Sequence, residues 1–214
     1  MRSMTCGLIV LGAGLGLTLL ARERRTLHEG AYAGAASRQL MDEHEMILEV
    51  VGAAQAEAEH IRRGSSIDES RVRQILDFSR NFTDRCHHAK EERYYFPAAL
   101  VYAGQKTRGL IDELEAEHAY GRANVEEIDY LLTSSNGEAG QMVAERLSRY
   151  AEVLRGHIQK ENERLYRGAD AFLPGTEERA LVVGFERLEN VELGQGFHEH
   201  YHRLGEQLSQ QHRP

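Results

Sequence analysis

The chain has 214 residues, 41% of them hydrophobic and 28% charged, which suffices for one domain with a full core or one domain plus a tail. A formal net charge of −8 argues against a non-specific nucleic-acid binder, because phosphate contacts need concentrated Lys and Arg. Two cysteines, Cys6 and Cys86, cannot make a disulfide framework and are too few for an iron–sulfur cluster.

Three prolines, no tryptophan and long runs of Glu, Arg, Ala and Leu favour helices over sheet. Residues 4–21, MTCGLIVLGAGLGLTLLA, carry no charge and approach the shortest length that spans a bilayer. Arg22, Arg24 and Arg25 follow, so the positive-inside bias would place the remainder in the cytoplasm, tethered to the inner face of a membrane. A cleaved signal peptide is the competing reading, with Ala31-Tyr32-Ala33 as its site. That site lies too far beyond the apolar run. Gly12, Gly14 and Gly16 lack the spacing and the βαβ context of a dinucleotide fingerprint.

From Ser37 to about Arg63, Leu40, His44, Ile47, Leu48, Val51 and Ala54 recur at helical spacing. Gly64-Ser65-Ser66 ends this first helix, and Ser66 with Glu69 forms a capping box for a second that runs to about Pro97. Ile111, Leu114, His118, Val125 and Leu132 stripe a third helix, which Ser134-Ser135-Asn136-Gly137 ends. Val143, Leu147, Ala151, Leu154, His157, Ile158, Glu161 and Leu165 stripe a fourth, stopped by Pro174-Gly175. The predicted fold is all-α, an antiparallel up-down-up-down four-helix bundle. The predicted organisation is an N-terminal apolar segment and linker over 1–34, the bundle over 35–173, and a helical extension over 174–214 broken near Gly194-Gln195-Gly196.

Two stretches carry the pattern His-x-x-Lys-Glu, with a histidine four residues before a glutamate: His87-His88-Ala89-Lys90-Glu91-Glu92 and His157-Ile158-Gln159-Lys160-Glu161. On a helix such a pair leaves one face and can close on one metal ion. Counting about 100° per residue, His44, His118, His157 and Glu161 fall on apolar stripes. A carboxylate there is costly unless it is paired or bound to a cation. On the second helix both His87/Glu91 and His88/Glu92 have the spacing. His87 lies about 100° from the centre of the buried side and His88 about 150°, so His87 and Glu91 are the inward pair. His88 and Glu92 read as solvent-facing residues or as residues behind the ligands. Cys86 reads as core. The inward set is His44, His87, Glu91, His118, His157 and Glu161, and mixed imidazole and carboxylate donors suit iron, manganese or zinc.

The segments MDEHEMI around His44, HHAKEERYYFP, ELEAEH ending at His118, and HIQKEN from His157 together resemble, in order, the signatures of the hemerythrin-like (HHE cation-binding) domain family. The resemblance implies a non-haem centre of two Fe ions, oxo- or hydroxo-bridged, on the same six residues, meeting O2, NO or peroxide. Oxygen-carrying hemerythrins have a His-x-x-x-His pair on the third helix, where this chain has Arg122 after His118, and end in His-x-x-x-x-Asp, where it has His157-x-x-x-Glu161. The expectation is therefore a protein that binds, senses or scavenges a diatomic ligand rather than a dedicated enzyme. Its rivals are a di-iron enzyme or stress-repair protein, a ferritin-like iron oxidase using Glu57-Ala58-Glu59-His60 and Glu115-Ala116-Glu117-His118, and an interaction protein with a buried ionic network. The tail histidines His198, His200 and His202 read as a surface or packing helix, with an extra ligand or lid as the alternative.

Overall fold

The structure is a computed structural model that describes residues 34–133 and 139–210, and among these every regular element is helical. The proposed tether and the Ser134–Gly137 turn lie outside the described residues. Among the described residues no helix is long and apolar enough to cross a membrane. The first rod is α1, Ala35–Arg62. The second is α2, Glu69–Phe78, which widens into π-helical turns at Ser79–His88 and Glu91–Tyr95 and ends as α3, Phe96–Tyr102. The third is α4, Arg108–Thr133. The fourth is α5, Ala139–Lys160, continued by a π-helical turn at Glu161–Tyr166 and by α6, Arg167–Asp170.

Two local expectations are corrected. Asp68, not Ser66, caps the second rod: its carboxylate accepts from the Arg71 backbone N–H, and its own N–H donates to the buried Glu57. Pro97 does not end that rod. It sits in the first turn of α3, directly after the π-helical turn Glu91–Tyr95, and the helix runs on to Tyr102.

Cross-contacts give the direction of neighbouring rods. Arg62 reaches the Ala144 carbonyl and His44 meets Glu161, so the first and fourth rods are antiparallel. Asp68 meets Glu57 and His87 meets Glu43, which sets the second rod antiparallel to the first. Arg80 pairs with Asp129 and His118 with Glu92; Arg146 pairs with Glu127 and Lys160 with Glu113. The second, third and fourth rods therefore alternate as well.

The apolar core has two parts. Ile47, Val51, Phe82, Ile128, Leu147 and Ile158 belong to one, and Leu40, Tyr95, Phe96, Leu114, Leu165 and Tyr166 to the other. On each rod the inward His and Glu positions fall between these two sets, so a polar belt is enclosed by hydrophobic plugs. Each fully buried Leu, Ile or Phe stabilises the fold by about 1.5–3 kcal/mol relative to exposure, and the same burial strips the belt of water.

The C-terminal chain forms α7, Gly175–Arg187, a π-helical turn at Leu188–Gly194, and α8, Phe197–Gln210. The break falls where expected, with Gly194 and Gly196 at φ 105° and 79°, in the left-handed region that favours glycine. Both helices lie on α1 and share its core, through Leu181 and Phe185 in one part and Tyr201 and Leu208 in the other.

Candidate metal centre

All six inward candidates are buried, each no more than 1% exposed. Their ligating atoms form two overlapping groups: His44, His87, Glu91 and Glu161 in one, and His88, His118, His157 and Glu91 in the other. Glu91 belongs to both. Glu161 also spans them, with Oε2 3.2 Å from His44 Nε2 and Oε1 3.1 Å from His157 Nε2. Glu91 Oε2 is 3.6 Å from His87 Nε2 and 3.5 Å from His118 Nε2. One carboxylate from each of two rods thus lies between a pair of imidazoles and a trio.

The apolar period makes His88 solvent-facing or a residue behind the ligands, and the structure corrects this: it is 5% exposed and stacks on His118 at 3.7 Å between ring centres. The physical reason is the π-helical stretch Ser79–His88, whose i→i+5 bonding widens each turn, so that counting about 100° per residue over-rotates the chain. With a wider turn His87 and His88 both face inward, one toward each group. Arg122 leaves the third rod with one histidine, and His88 supplies a third imidazole to its group from the neighbouring rod.

The five rings share a second feature. Every Nδ1 faces an oxygen acceptor: Asn162 for His44 at 2.9 Å, Glu43 for His87 at 2.9 Å, Asp84 for His88 at 3.4 Å, Glu92 for His118 at 2.7 Å and Glu117 for His157 at 3.1 Å. These partners assign the ring proton to Nδ1 and leave Nε2 as a bare lone pair, as the outer carboxylates of metal-bound histidines do. His118 and His157 then point Nε2 at Nε2 across 3.0 Å, a contact that needs a proton or a metal ion between the two nitrogens. Nε2 of His44, His87 and His88, Oε2 of Glu91 and both Glu161 carboxylate oxygens are likewise buried without a hydrogen bond. The donor set fits a bound metal cation.

A family model described as the hemerythrin HHE cation-binding domain matches residues 35–169. The chain belongs to the hemerythrin family. No curated protein and no solved structure matches it. Cation binding is thus the property of this hemerythrin domain to which the buried belt answers.

Protons would occupy this hemerythrin belt without metal. Burial, together with the Glu161 charge, pushes the Glu91 carboxyl well above the usual range. Burial also opposes the charge on Glu161, but His157 and His44 outweigh it and hold Glu161 well below that range. His157 rises to about 9, burial being overcome by Glu161 and Glu117, whereas burial drives His87 down to about 4 and lowers His88 and His118. The Tyr166 hydroxyl donates to Glu91, and its ring stacks 5.8 Å from His44.

Other candidates lie apart. His60 is exposed, so the first Glu-x-x-His stretch of a ferritin-like site does not face the belt. The Cys86 thiol is buried outside both ligand groups, and burial pushes it up to about 12. His198 lies with Glu43 and Glu189 beyond His87. There Lys90 donates to both glutamates, so an ammonium already fills the place of a cation. Of the outer acceptors, the sequence offers Glu92 as solvent-facing or behind the ligands and Glu117 only within a ferritin-like stretch, whereas Glu43, Asp84 and Asn162 are not singled out by it. Their signal was present, since Glu43 adjoins His44, Glu117 adjoins His118 and Asn162 adjoins Glu161.

Proposed function

We propose that this chain holds two iron ions, one against His44 and His87 and the other against His88, His118 and His157, with Glu91 and Glu161 shared between them. The observation that carries the reading is the convergence of five Nε2 lone pairs and two carboxylates whose outer hydrogen bonds are already committed. Two six-coordinate ions offer about twelve positions, of which five imidazoles and two bridging carboxylates fill about nine. A solvent-derived oxo or hydroxo bridge takes two more, and the remaining vacancy falls on the side with two imidazoles.

Iron at this place would supply an open coordination position and one-electron redox chemistry for O2 or NO. The protein's own part is to hold the rings in one tautomer, keep both carboxylates ionised once protons are displaced, and shield the His44/His87 side from bulk water with the two apolar plugs. Near the His44/His87 side the Tyr166 hydroxyl donates to Glu91 and fixes its orientation. Binding, sensing or scavenging a diatomic ligand is the role that fits one vacancy in a dry pocket.

The test is the visible spectrum of the reduced, iron-loaded protein before and after O2 and NO. A stable oxygenated band or a nitrosyl band supports the reading, and fast conversion to a resting oxidised form with turnover would favour the di-iron enzyme. A protein that takes up no metal would reject both. The tether proposed for residues 4–21, with the bundle on the cytoplasmic side, rests on the pattern of charges and is tested by membrane fractionation.

A further inference from the structure

Between the second, third and fourth rods lies a cavity of about 300 Å³ whose inner end is formed by His88, His118 and His157. It reaches the surface beside Arg80, Arg85 and Arg122. A void of about 150 Å³ admits benzene, and about 300 Å³ is the lower end of ordinary small-molecule sites, so this space far exceeds the needs of a diatomic gas. It also lies on the side where three imidazoles and two carboxylates leave no vacancy for one.

We propose that this cavity is a binding site for an uncharged, ring-sized organic molecule, distinct from the gas position. Three observations carry this. Val125, Tyr150, Val153 and Leu154 make the walls largely apolar, which favours a hydrocarbon ring. The formal charges of the guanidinium and carboxylate groups on the lining cancel, Arg80, Arg85 and Arg122 against Asp84, Glu117 and Glu126, so these side chains select neither an anion nor a cation. Arg80 is tied to Asp129, and Arg122 to Asp84 and Glu92, so two of these arginines are already engaged.

The third observation is Gly121, inside α4 on the cavity wall. A glycine there costs about 0.5–1 kcal/mol of helix stability relative to alanine. Backbone packing does not demand it, because a Cβ built at this position would meet nothing closer than a Tyr150 ring carbon at 3.8 Å. The missing side chain keeps the wall open. Buried hydroxyls of Ser79, Thr83 and Tyr150 offer a ligand hydroxyl polar partners without charge.

The inference goes beyond the dimetal reading and can fail alone. Phenol and benzoate, one ring each and differing in charge at neutral pH, are titrated calorimetrically into the iron-loaded protein after its metal content has been measured. Saturable phenol binding at one site, at least tenfold weaker binding of benzoate, and at least tenfold loss in Gly121→Phe with retention in Gly121→Ala are expected. Val153→Phe fills the same space from the fourth rod and serves if Gly121→Phe does not fold. Absence of saturable phenol binding, equal binding of benzoate, or unaltered binding in the filled variants would overturn the proposal. So would a new iron–phenolate absorption band, which would put phenol on the metal instead. Failure of iron to bind, by contrast, strikes the dimetal reading and leaves the cavity to be tested on the metal-free chain.

Discussion

At the scale of single residues, the account rests on which way an imidazole points. His88→Ala removes one of three rings from its group, and iron content should fall from about two per chain toward one, measured by elemental analysis with the helical circular dichroism unchanged. Glu92→Gln leaves every ligand in place but weakens the acceptor behind His118, and metal affinity should drop about 10–100-fold in a competition titration with a chelator. Metal must also displace protons. At neutral pH the metal-free belt carries them on Glu91 and on His157, whose value is raised to about 9, whereas the ligating forms are deprotonated. Metal binding should therefore tighten as pH rises toward about 9, and calorimetry in two buffers of different ionisation enthalpy should show proton release. The same shift makes the metal-free fold lose the stabilisation of protonated His157 as pH rises through that value. At this scale much was legible: His44, His118, His157 and Glu161 stood on apolar stripes, and all are buried in the belt. His88 was not, because a 3.6-residue period cannot describe a π-helical turn.

Elements show why helix boundaries were partly legible. The Gly64 break and the Gly194–Gly196 break follow from residues that tolerate positive φ, and both appear. The π-helical turns at Ser79–His88, Glu91–Tyr95 and Glu161–Tyr166 have no side-chain signature of their own. They fall at the ligands, and at Ser79–His88 the wider turn brings two successive histidines to the belt. The close approach of α8 to α1 was equally hidden. A Cβ at Gly205 would lie 2.3 Å from Met46 Sδ and 3.1 Å from the Phe78 ring. Gly205→Val should therefore destabilise the fold by about 1–3 kcal/mol through overpacking, the swing of the flexible Met46 side chain setting the lower figure. A thermal melt should show a fall of about 2–4 °C per kcal/mol.

For the whole molecule, enclosure matters more than any single contact. Two apolar plugs bury a belt that holds two carboxylates and five imidazoles, an arrangement that is costly without cations. Removing metal with a chelator should lower the melting temperature clearly, and restoring iron should recover it. An interaction protein with a purely ionic core would melt alike with and without metal. The all-helical class and the family resemblance could be read from composition, apolar period and ordered motifs. The attachment of the C-terminal helices to the same core could not, because an amphipathic stripe says that a face is buried but not against what. The most direct measurement is diffraction from crystals of the iron-loaded protein at the iron absorption edge. Two anomalous peaks about 3.5–4 Å apart are predicted, one beside His44 and His87 and the other beside His88, His118 and His157, with Glu91 and Glu161 between them. A single peak, or density outside the belt, would contradict the account.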